Sequence, residues 1–163
     1  MDRILGIDYG DSRTGIAVSD SLGWTAQGLE TIVYKGNMKM LLKRIDEIIK
    51  EYDIKKIVIG FPRNLNGTIG PRAEKTEEFI KILIDKFKLN VIKWDEWLST
   101  VSAHRDMNDM GVKNKKKKNL VDTIAAVHIL QNYLDSLKNS WVFSTEGGLK
   151  WAIKKKEKKA KRN

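Results

Sequence analysis

The sequence predicts an α/β fold in which helices flank a five-stranded mixed β-sheet. Three observations support this prediction. The first third of the chain holds three strand-like segments joined by short connections. From residue 36 onwards, helix-like and strand-like patterns alternate. With 163 residues, of which 41% are hydrophobic, the chain suits one domain with a sizeable core.

The three N-terminal strands are predicted to form antiparallel hairpins, because the connections between them are short. Turn-forming residues separate the first two strands at Gly10–Ser12, and Gly23 and Gly28 lie in the loop before the third. The predicted bounds are Arg3–Tyr9, Thr14–Ser19 and Leu29–Tyr34.

The remaining elements follow from hydrophobic periodicity. Apolar residues recur every three or four positions from Leu41 to Tyr52 and from Phe79 to Phe87, which indicates two amphipathic helices. Pro71 suits the first turn of the second. In chain order, the sequence predicts a helix from Gly36 or Asn37, a strand at Lys56–Gly60, a loop at Phe61–Gly70, a helix from Pro71, a strand at Asn90–Trp94, a helix from Ser99 or Thr100 to Met110, and a last helix from Leu120 to Leu137.

Right-handed strand–helix–strand connections place strands 1, 4 and 5 side by side and parallel. Ligands on such sheets collect at the carboxyl ends of the parallel strands. Asp8 lies at the end of strand 1, and Glu96 is predicted just beyond strand 5. The topology therefore brings two acids from distant parts of the chain to one edge of the sheet.

The net charge is +10, and most of the excess lies in two segments. The lysines between residues 113 and 118 contribute +5, and the tail from Lys154 to Asn163 contributes +6, so the rest of the chain is close to neutral. Concentrated positive charge favours nucleic acid, although a solvated lysine-rich surface or a disordered tail has the same composition. We expect one α/β domain at residues 1–137 and a C-terminal extension with a basic tail at residues 138–163.

Several classes of protein are disfavoured. The chain has no cysteine, which excludes disulfides and thiolate metal sites. Neither of its two histidines has a spacing that suggests zinc, and no serine or cysteine nucleophile motif occurs. No apolar run is long enough for a signal peptide or a membrane span, so the expected location is the cytoplasm.

Three acids are the candidate catalytic and metal-binding residues: Asp8, Glu96 and Asp122. Mg²⁺ and Mn²⁺ take carboxylate oxygens, and two such ions can activate water and stabilise the leaving oxygen in phosphodiester cleavage. Asp122 lies near the start of the last helix, whose apolar face should dock on the sheet. Each acid also has a structural alternative, because turns and helix N-termini favour acidic residues.

Four motifs resemble the YqgF/RuvX family of RuvC-like nucleases, and together they cover residues 1 to about 137. They are Gly-Ile-Asp-Tyr-Gly at residues 6–10 with Arg-Thr-Gly-Ile-Ala-Val-Ser-Asp at 13–20, Gly-Phe-Pro-Arg-Asn-Leu-Asn-Gly-Thr at 60–68, Asp-Glu-Trp-Leu-Ser-Thr at 95–100, and Lys-Lys-Lys-Asn-Leu-Val-Asp-Thr-Ile-Ala-Ala at 116–126. One departure is Trp97, which stands where the family usually has arginine. Trp97 could stack on a base, but packing against the sheet edge is the favoured interpretation.

This resemblance implies a ribonuclease H-like fold and a nuclease that matures the 5′ end of 16S rRNA precursors. The family is also described as Holliday-junction resolvase-like. Its acidic residues fall on Asp8, Glu96 and Asp122. The implied partners are precursor rRNA, ribosomal particles and branched DNA, and the implied cofactor is Mg²⁺ or Mn²⁺, with two ions bound.

Six further residues are candidates for substrate binding: Arg13, Asn64, Arg72, Lys116, Lys117 and Lys118. Arginine and lysine pair with phosphate, and the lysines directly precede Asp122. Each has an ordinary alternative. Arg13 could form a salt bridge with Asp11 or Asp20, Asn64 could only form a turn, and Arg72 could be a solvated surface residue.

Four functions compete as interpretations of these features. The first is hydrolysis of phosphodiester bonds in structured RNA. A resolvase of four-way DNA junctions is a variant that needs a symmetric dimer, and the sequence does not establish its oligomeric state. The third is RNA binding without catalysis. An actin-like kinase is the fourth, but that class needs two such domains and this chain has one.

Overall fold

The structure is a computed structural model that describes residues 2–62, 69–96 and 114–143, with only the backbone described for residues 96, 114–118 and 139–143. Its centre is a five-stranded sheet in the order β3-β2-β1-β4-β5. The strands are β1 (Arg3–Tyr9), β2 (Arg13–Ser19), β3 (Ala26–Val33), β4 (Ile54–Pro62) and β5 (Asn90–Glu96). β1, β2 and β3 pair antiparallel, whereas β4 pairs parallel with both β1 and β5. The mixed five-stranded sheet is therefore confirmed.

Three helices cover the sheet in the described part of the chain: α1 (Met38–Glu51), α2 (Pro71–Phe87) and α3 (Asn114–Phe143). Asn37 caps α1, because its side chain accepts a hydrogen bond from the Met40 backbone N–H at 3.2 Å. α2 begins at Pro71, as predicted, and ends at Phe87, after which Lys88 caps it in the left-handed conformation. None of these helices combines the length and the apolar character that crossing a membrane requires.

Both faces of the sheet are buried. On one face, Ile7 and Ile59 pack with Leu41 of α1 and Leu83 of α2 in the larger hydrophobic cluster. On the other face, a smaller cluster joins the sheet to α3 and contains Ile4, Ala17, Val58, Ala126, Ile129 and Leu130. Side chains alternate between faces along a strand, so β1 presents Ile4, Gly6 and Asp8 to the α3 side.

Glycines on three neighbouring strands let α3 approach the sheet closely. A Cβ built on Gly15 would lie 1.8 Å from the backbone oxygen of Asp122. The corresponding distances are 2.7 Å from Gly6 to Leu130 Cβ and 2.7 Å from Gly28 to Thr123 Cγ2. Larger residues on β1, β2 and β3 would therefore lift the helix from the sheet.

Hydrogen bonds fix the position of α3 along the outer strand β3. The Thr31 and Thr123 hydroxyl oxygens lie 2.8 Å apart, and the Gln131 carboxamide oxygen accepts a hydrogen bond from the Ala26 N–H at 2.8 Å. Thr31 also donates to the backbone oxygen of Asn119. These contacts, about 12 residues apart on the helix, hold Asp122 over one end of the sheet.

Several predicted bounds differ from the structure. β3 starts earlier than predicted, and β4 extends to Pro62, because strand pairing with β2 and β5 orders residues with weak local signals. Asp95 and Glu96 belong to β5 instead of following it. α3 starts at Asn114 and runs through residue 137 to Phe143, so a domain boundary after 137 stays a prediction. Four features of the sequence analysis lie outside the described residues: the predicted helix that ends at Met110, the basic tail, Trp97 and Asn64.

Candidate nuclease site

Asp8 and Asp122 lie on the same face of the sheet, at the end where β1 finishes. Asp8 is paired in register with Gly15 of β2. The Asp122 backbone passes directly over that same glycine. The chain thus brings two acids that are 114 residues apart in the sequence onto one pair of strands.

Glu96 occupies the same face and the same edge. It is the last residue of β5 and pairs in register with Pro62 of β4. Ile92 and Trp94 pack against the α3 cluster, so strand alternation gives position 96 the α3 side. β4 lies between β1 and β5, which separates the two backbones by roughly 10 Å. The side chain of Glu96 lies outside the described part.

The neighbouring acid Asp95 has a different position. It pairs in register with Phe61, which belongs to the cluster on the opposite face. Lys93, two residues earlier, forms a salt bridge with Glu77 of α2 at 2.5 Å, which is consistent with that face. Of the two adjacent acids, Glu96 therefore shares a face with Asp8 and Asp122.

Asp122 is held in an environment that disfavours its charge. Its side chain is 19% exposed, and its Oδ2 atom is buried without a hydrogen-bond donor from the described part of the chain. The Nε atom of Arg13 lies 3.2 Å from that oxygen, but the contact is an ion pair without hydrogen-bond geometry. Burial raises the pKa of the Asp122 carboxyl, and the Arg13 and Arg72 guanidinium groups partly offset this effect.

The described side chains include no group of three His, Cys, Asp or Glu residues that could hold a metal ion. The side chain of Glu96 lies outside the described residues. A buried carboxylate oxygen without a donor, next to a second acid at the sheet edge, nevertheless fits a cation that prefers oxygen ligands.

Arg13 has a partner that the sequence did not indicate. The alternatives were Asp11 and Asp20, but Asp11 pairs with Lys75 at 3.0 Å. The carboxylate of Asp20 accepts hydrogen bonds from the Trp24 and Thr25 N–H groups in the β2–β3 turn. Arg13 instead reaches across the sheet edge to Asp122. It therefore belongs to the acidic site.

A pocket of about 330 Å³ adjoins this site on the side of α2. Its polar lining comes from the β1–β2 hairpin, from the first turn of α2, and from Asp122. We call it the hairpin pocket; its charged residues are Asp11, Arg13, Arg72, Lys75 and Asp122. Arg72 is among the predicted substrate-binding residues, whereas the sequence analysis did not predict Lys75. The signal for Lys75 is its spacing of three from Arg72, which makes the two side chains neighbours on the helix surface.

The predicted lysines lie in the first turn of α3. Lys116, Lys117 and Lys118 have a helical backbone, and their side chains lie outside the described part. Lys118 precedes Asp122 by four residues, which is about one helical turn. Asn64 belongs to residues 63–68, which the structure does not describe.

Comparison with known proteins identifies relatives over most of the chain. Residues 2–136 match the family described as RuvX, Holliday junction resolvase. A Ruminiclostridium cellulolyticum protein named "Putative pre-16S rRNA nuclease" is 62% identical over 135 residues, which are 83% of this chain and 95% of the relative. A protein of the same name from Acetivibrio thermocellus is 59% identical over 135 residues, which are 82% of this chain and 96% of the relative.

Solved structures share the fold at low sequence identity. RuvC from T. thermophilus, in complex with a Holliday junction substrate, aligns with a TM-score of 0.55 and 12% identity, over 85% of this chain and 97% of RuvC. The Fowlpox virus resolvase, in complex with Holliday junction DNA, has a TM-score of 0.52 and 13% identity, over 83% of this chain and 98% of the resolvase. The chain therefore belongs to the RuvX family and has a RuvC-like, ribonuclease H-like fold.

Proposed function

We propose that this protein is a metal-dependent nuclease that hydrolyses phosphodiester bonds and matures the 5′ end of 16S rRNA precursors. The observation that carries the proposal is the shared position of Asp8 and Asp122 beside Gly15, on the same face and edge as position 96. Relatives named as pre-16S rRNA nucleases, at 59–62% identity over most of both chains, support the RNA substrate.

Asp8, Glu96 and Asp122 are the residues that would hold the metal. When bound, two Mg²⁺ or Mn²⁺ ions would supply activation of a water molecule and stabilisation of the leaving oxygen. Asp122 suits this role because its buried Oδ2 lacks a hydrogen-bond donor in the described structure. A bound cation would supply the partner that this oxygen lacks, beside its ion pair with Arg13.

The basic residues hold the substrate in this proposal. Arg13 lies at the acidic site and can pair with a phosphate oxygen in the bidentate manner of guanidinium groups. The lysines at 116–118 precede Asp122 on the same helix, and we propose that they pair with the phosphate backbone. Arg72, in the first turn of α2, and Asn64 complete the proposed set.

A cleavage assay tests the proposal. Purified full-length protein is incubated with a precursor-rRNA fragment and Mg²⁺, Mn²⁺ or a chelator, and Asp8→Asn is compared with Asp85→Asn. Asp85 is an exposed acid near the end of α2, so its substitution makes the same chemical change outside the site. We expect metal-dependent cleavage that Asp85→Asn retains and Asp8→Asn loses. Cleavage that persists in chelator and in Asp8→Asn would refute the proposal.

The second candidate function is cleavage of four-way DNA junctions, which the description of the matching family favours. This function requires a two-fold symmetric dimer, because two strands must be cut symmetrically. The same assay with a four-way junction, combined with the molecular mass in solution, separates the candidates. Paired cuts by a dimer would favour the junction, and RNA binding without cleavage of either substrate would favour a non-catalytic role.

A further inference from the structure

The hairpin pocket differs from the acidic site in both place and chemistry. Asp8 faces α3, whereas the pocket opens between the β1–β2 hairpin and α2, the helix packed on the opposite face of the sheet. Asp122 borders both and links them. A ligand in the pocket would therefore lie beside a substrate group at the acids without replacing it.

The pocket has an excess of positive charge. Three basic side chains line it, and two acids partly neutralise them: Asp11 pairs with Lys75 at 3.0 Å and Asp122 with Arg13 at 3.2 Å. Arg72 is exposed and has no carboxylate within ion-pair distance among the residues that the structure describes. One guanidinium group thus remains available for an anion, and guanidinium geometry matches phosphate oxygens.

The walls of the pocket are fixed before any ligand binds. Tyr34 donates a hydrogen bond from Oη to the Gly10 backbone oxygen at 2.5 Å, and its N–H donates to the Ser12 oxygen at 3.0 Å. On the α2 side, the rings of Tyr9 and Phe79 stack with centroids 4.1 Å apart. The hairpin and the first turn of α2 therefore keep their separation, which reduces the entropy lost on binding.

We propose that the hairpin pocket binds a phosphate group of the nucleic-acid strand next to the phosphate that is cleaved. Arg72 and Lys75 hold this second phosphate, and Arg13 stands between the two positions. The inference rests on the proposed function for the identity of the ligand as a nucleic acid. The phosphate belongs either to the interior of the strand or to its end, since both present the same oxygens.

Binding without cleavage tests the pocket independently of catalysis. The full chain is titrated in chelator with a fluorescent single-stranded RNA of about 12 nucleotides. The variant is Arg72→Gln/Lys75→Gln, and the matched control is Lys86→Gln/Lys88→Gln, which removes two positive charges from the other end of α2, roughly 20 Å away. Arg72→Gln alone preserves the Asp11–Lys75 pair and provides a second variant in case the double variant fails to fold.

We expect the double variant to raise Kd roughly 10-fold and the control to change it less than about 2-fold. The dependence of log K on log salt should also become shallower by about 0.7 for each phosphate that the variant no longer binds. Equal Kd values for the variant and the control would overturn the proposal. The source of the phosphate is identified by comparing RNAs with a 5′-phosphate, a 3′-phosphate or neither. If the variant loses affinity for only one phosphorylated RNA, the pocket binds a terminal phosphate. If it loses affinity equally for all three, the pocket binds an internal phosphate.

Failure of this inference and failure of the proposed function give different results. If the chain is a nuclease without this subsite, Asp8-dependent cleavage persists while the binding of the variant equals that of the control. If the chain binds RNA without cutting it, the binding difference persists and no cleavage is seen with either metal.

Discussion

Asp122 shows how a side chain proposed to bind metal can oppose the stability of the fold. Its carboxyl is largely buried, one oxygen has no hydrogen-bond donor in the described structure, and burial raises its pKa despite the ion pair with Arg13. A raised pKa means that the folded protein binds this proton more tightly than the unfolded chain does. The ionised form that a metal needs therefore reduces stability when no metal is bound.

Asp122→Asn is expected to increase stability and abolish activity. In chelator at neutral pH, the melting temperature should rise by a few degrees, which corresponds to less than about 1 kcal/mol. The gain should disappear as the pH falls below the usual aspartate pKa, where the wild-type carboxyl is protonated in both states. If Asp122 holds the metal as proposed, cleavage should fall at least about 100-fold, because losing a metal ligand costs several kcal/mol of transition-state stabilisation. Thermal denaturation from pH 3 to pH 8 measures the stability, and cleavage rates measure the activity. A variant less stable than wild type at neutral pH would contradict the expected increase in stability.

Tyr34 makes a second testable contribution at the scale of one residue. It is 2% exposed and donates its hydroxyl to the Gly10 backbone oxygen at 2.5 Å. Tyr34→Phe should therefore lower the free energy of unfolding by about 1 kcal/mol. Urea denaturation measures the difference. Tyr52→Phe is the control, because no hydrogen bond of the Tyr52 hydroxyl is found in the described structure. Equal losses for the two variants would show that the hydroxyl of Tyr34 does not stabilise the hairpin.

At the scale of elements, the docking of α3 on the sheet positions Asp122 in the candidate site. Glycines on three strands remove the side chains that would separate helix from sheet, and the closest approach is at Gly15, directly beneath Asp122. The position of the acid therefore depends on a residue of β2 with no functional group of its own.

Gly15→Ala and Gly28→Ala should differ in severity. The new Cβ at position 15 would meet backbone atoms of Asp122, which cannot move without displacing α3, whereas at position 28 it would meet the methyl group of Thr123. We expect stability decreases of about 3 kcal/mol for Gly15→Ala and about 1 kcal/mol for Gly28→Ala, and a larger loss of cleavage in the first. Chemical denaturation and activity measurements test this, and a similar stability for both variants would argue against close docking at Gly15.

The first turn of α3 supplies the second element-scale prediction. Lys116→Gln/Lys117→Gln/Lys118→Gln should weaken RNA binding and reduce the slope of log K against log salt by up to roughly 2, given about 0.7 per single-stranded phosphate. The control removes three exposed lysines from α1 and α2: Lys39, Lys43 and Lys86. Binding titrations between about 50 and 200 mM salt measure the slopes. The prediction fails if both triple variants show the same slope.

At the scale of the whole molecule, Asp8 and Asp122 belong to two different layers of the fold. Asp8 belongs to the sheet and Asp122 to α3, so a cation between them would bridge elements that separate on unfolding. A ligand that binds only the folded state stabilises it by mass action.

Metal should therefore raise the melting temperature of the wild-type protein. At a free Mn²⁺ or Mg²⁺ concentration about ten times the dissociation constant, the stabilisation is about 1.4 kcal/mol. Asp8→Asn should lose this shift, while Asp85→Asn should retain it. Thermal melts across a metal titration provide the measurement, and an equal shift in all three proteins would indicate that the metal binds elsewhere.

Much of the fold could be predicted because hydrophobic period and turn residues are local properties. Strand bounds were least certain where pairing with a neighbour, and not local preference, orders the residue, as at Ala26 and Pro62. The sequence also indicated Asp8 and Glu96, since the ends of parallel strands meet at one edge, and Asp122, since it lies near the start of a helix expected to dock on the sheet. It did not identify Lys75, because the pocket exists only once α2 packs beside the hairpin.

By itself, the sequence determined the order and type of the described elements, the clustering of positive charge and the candidate acids. Only the tertiary structure decided that Arg13 pairs with Asp122, that Glu96 and not Asp95 shares its face with Asp8, and that Gly15 admits the helix backbone. The physical reason is that periodicity acts between near neighbours in the chain, whereas these contacts depend on strand register and on how closely a helix can approach a sheet.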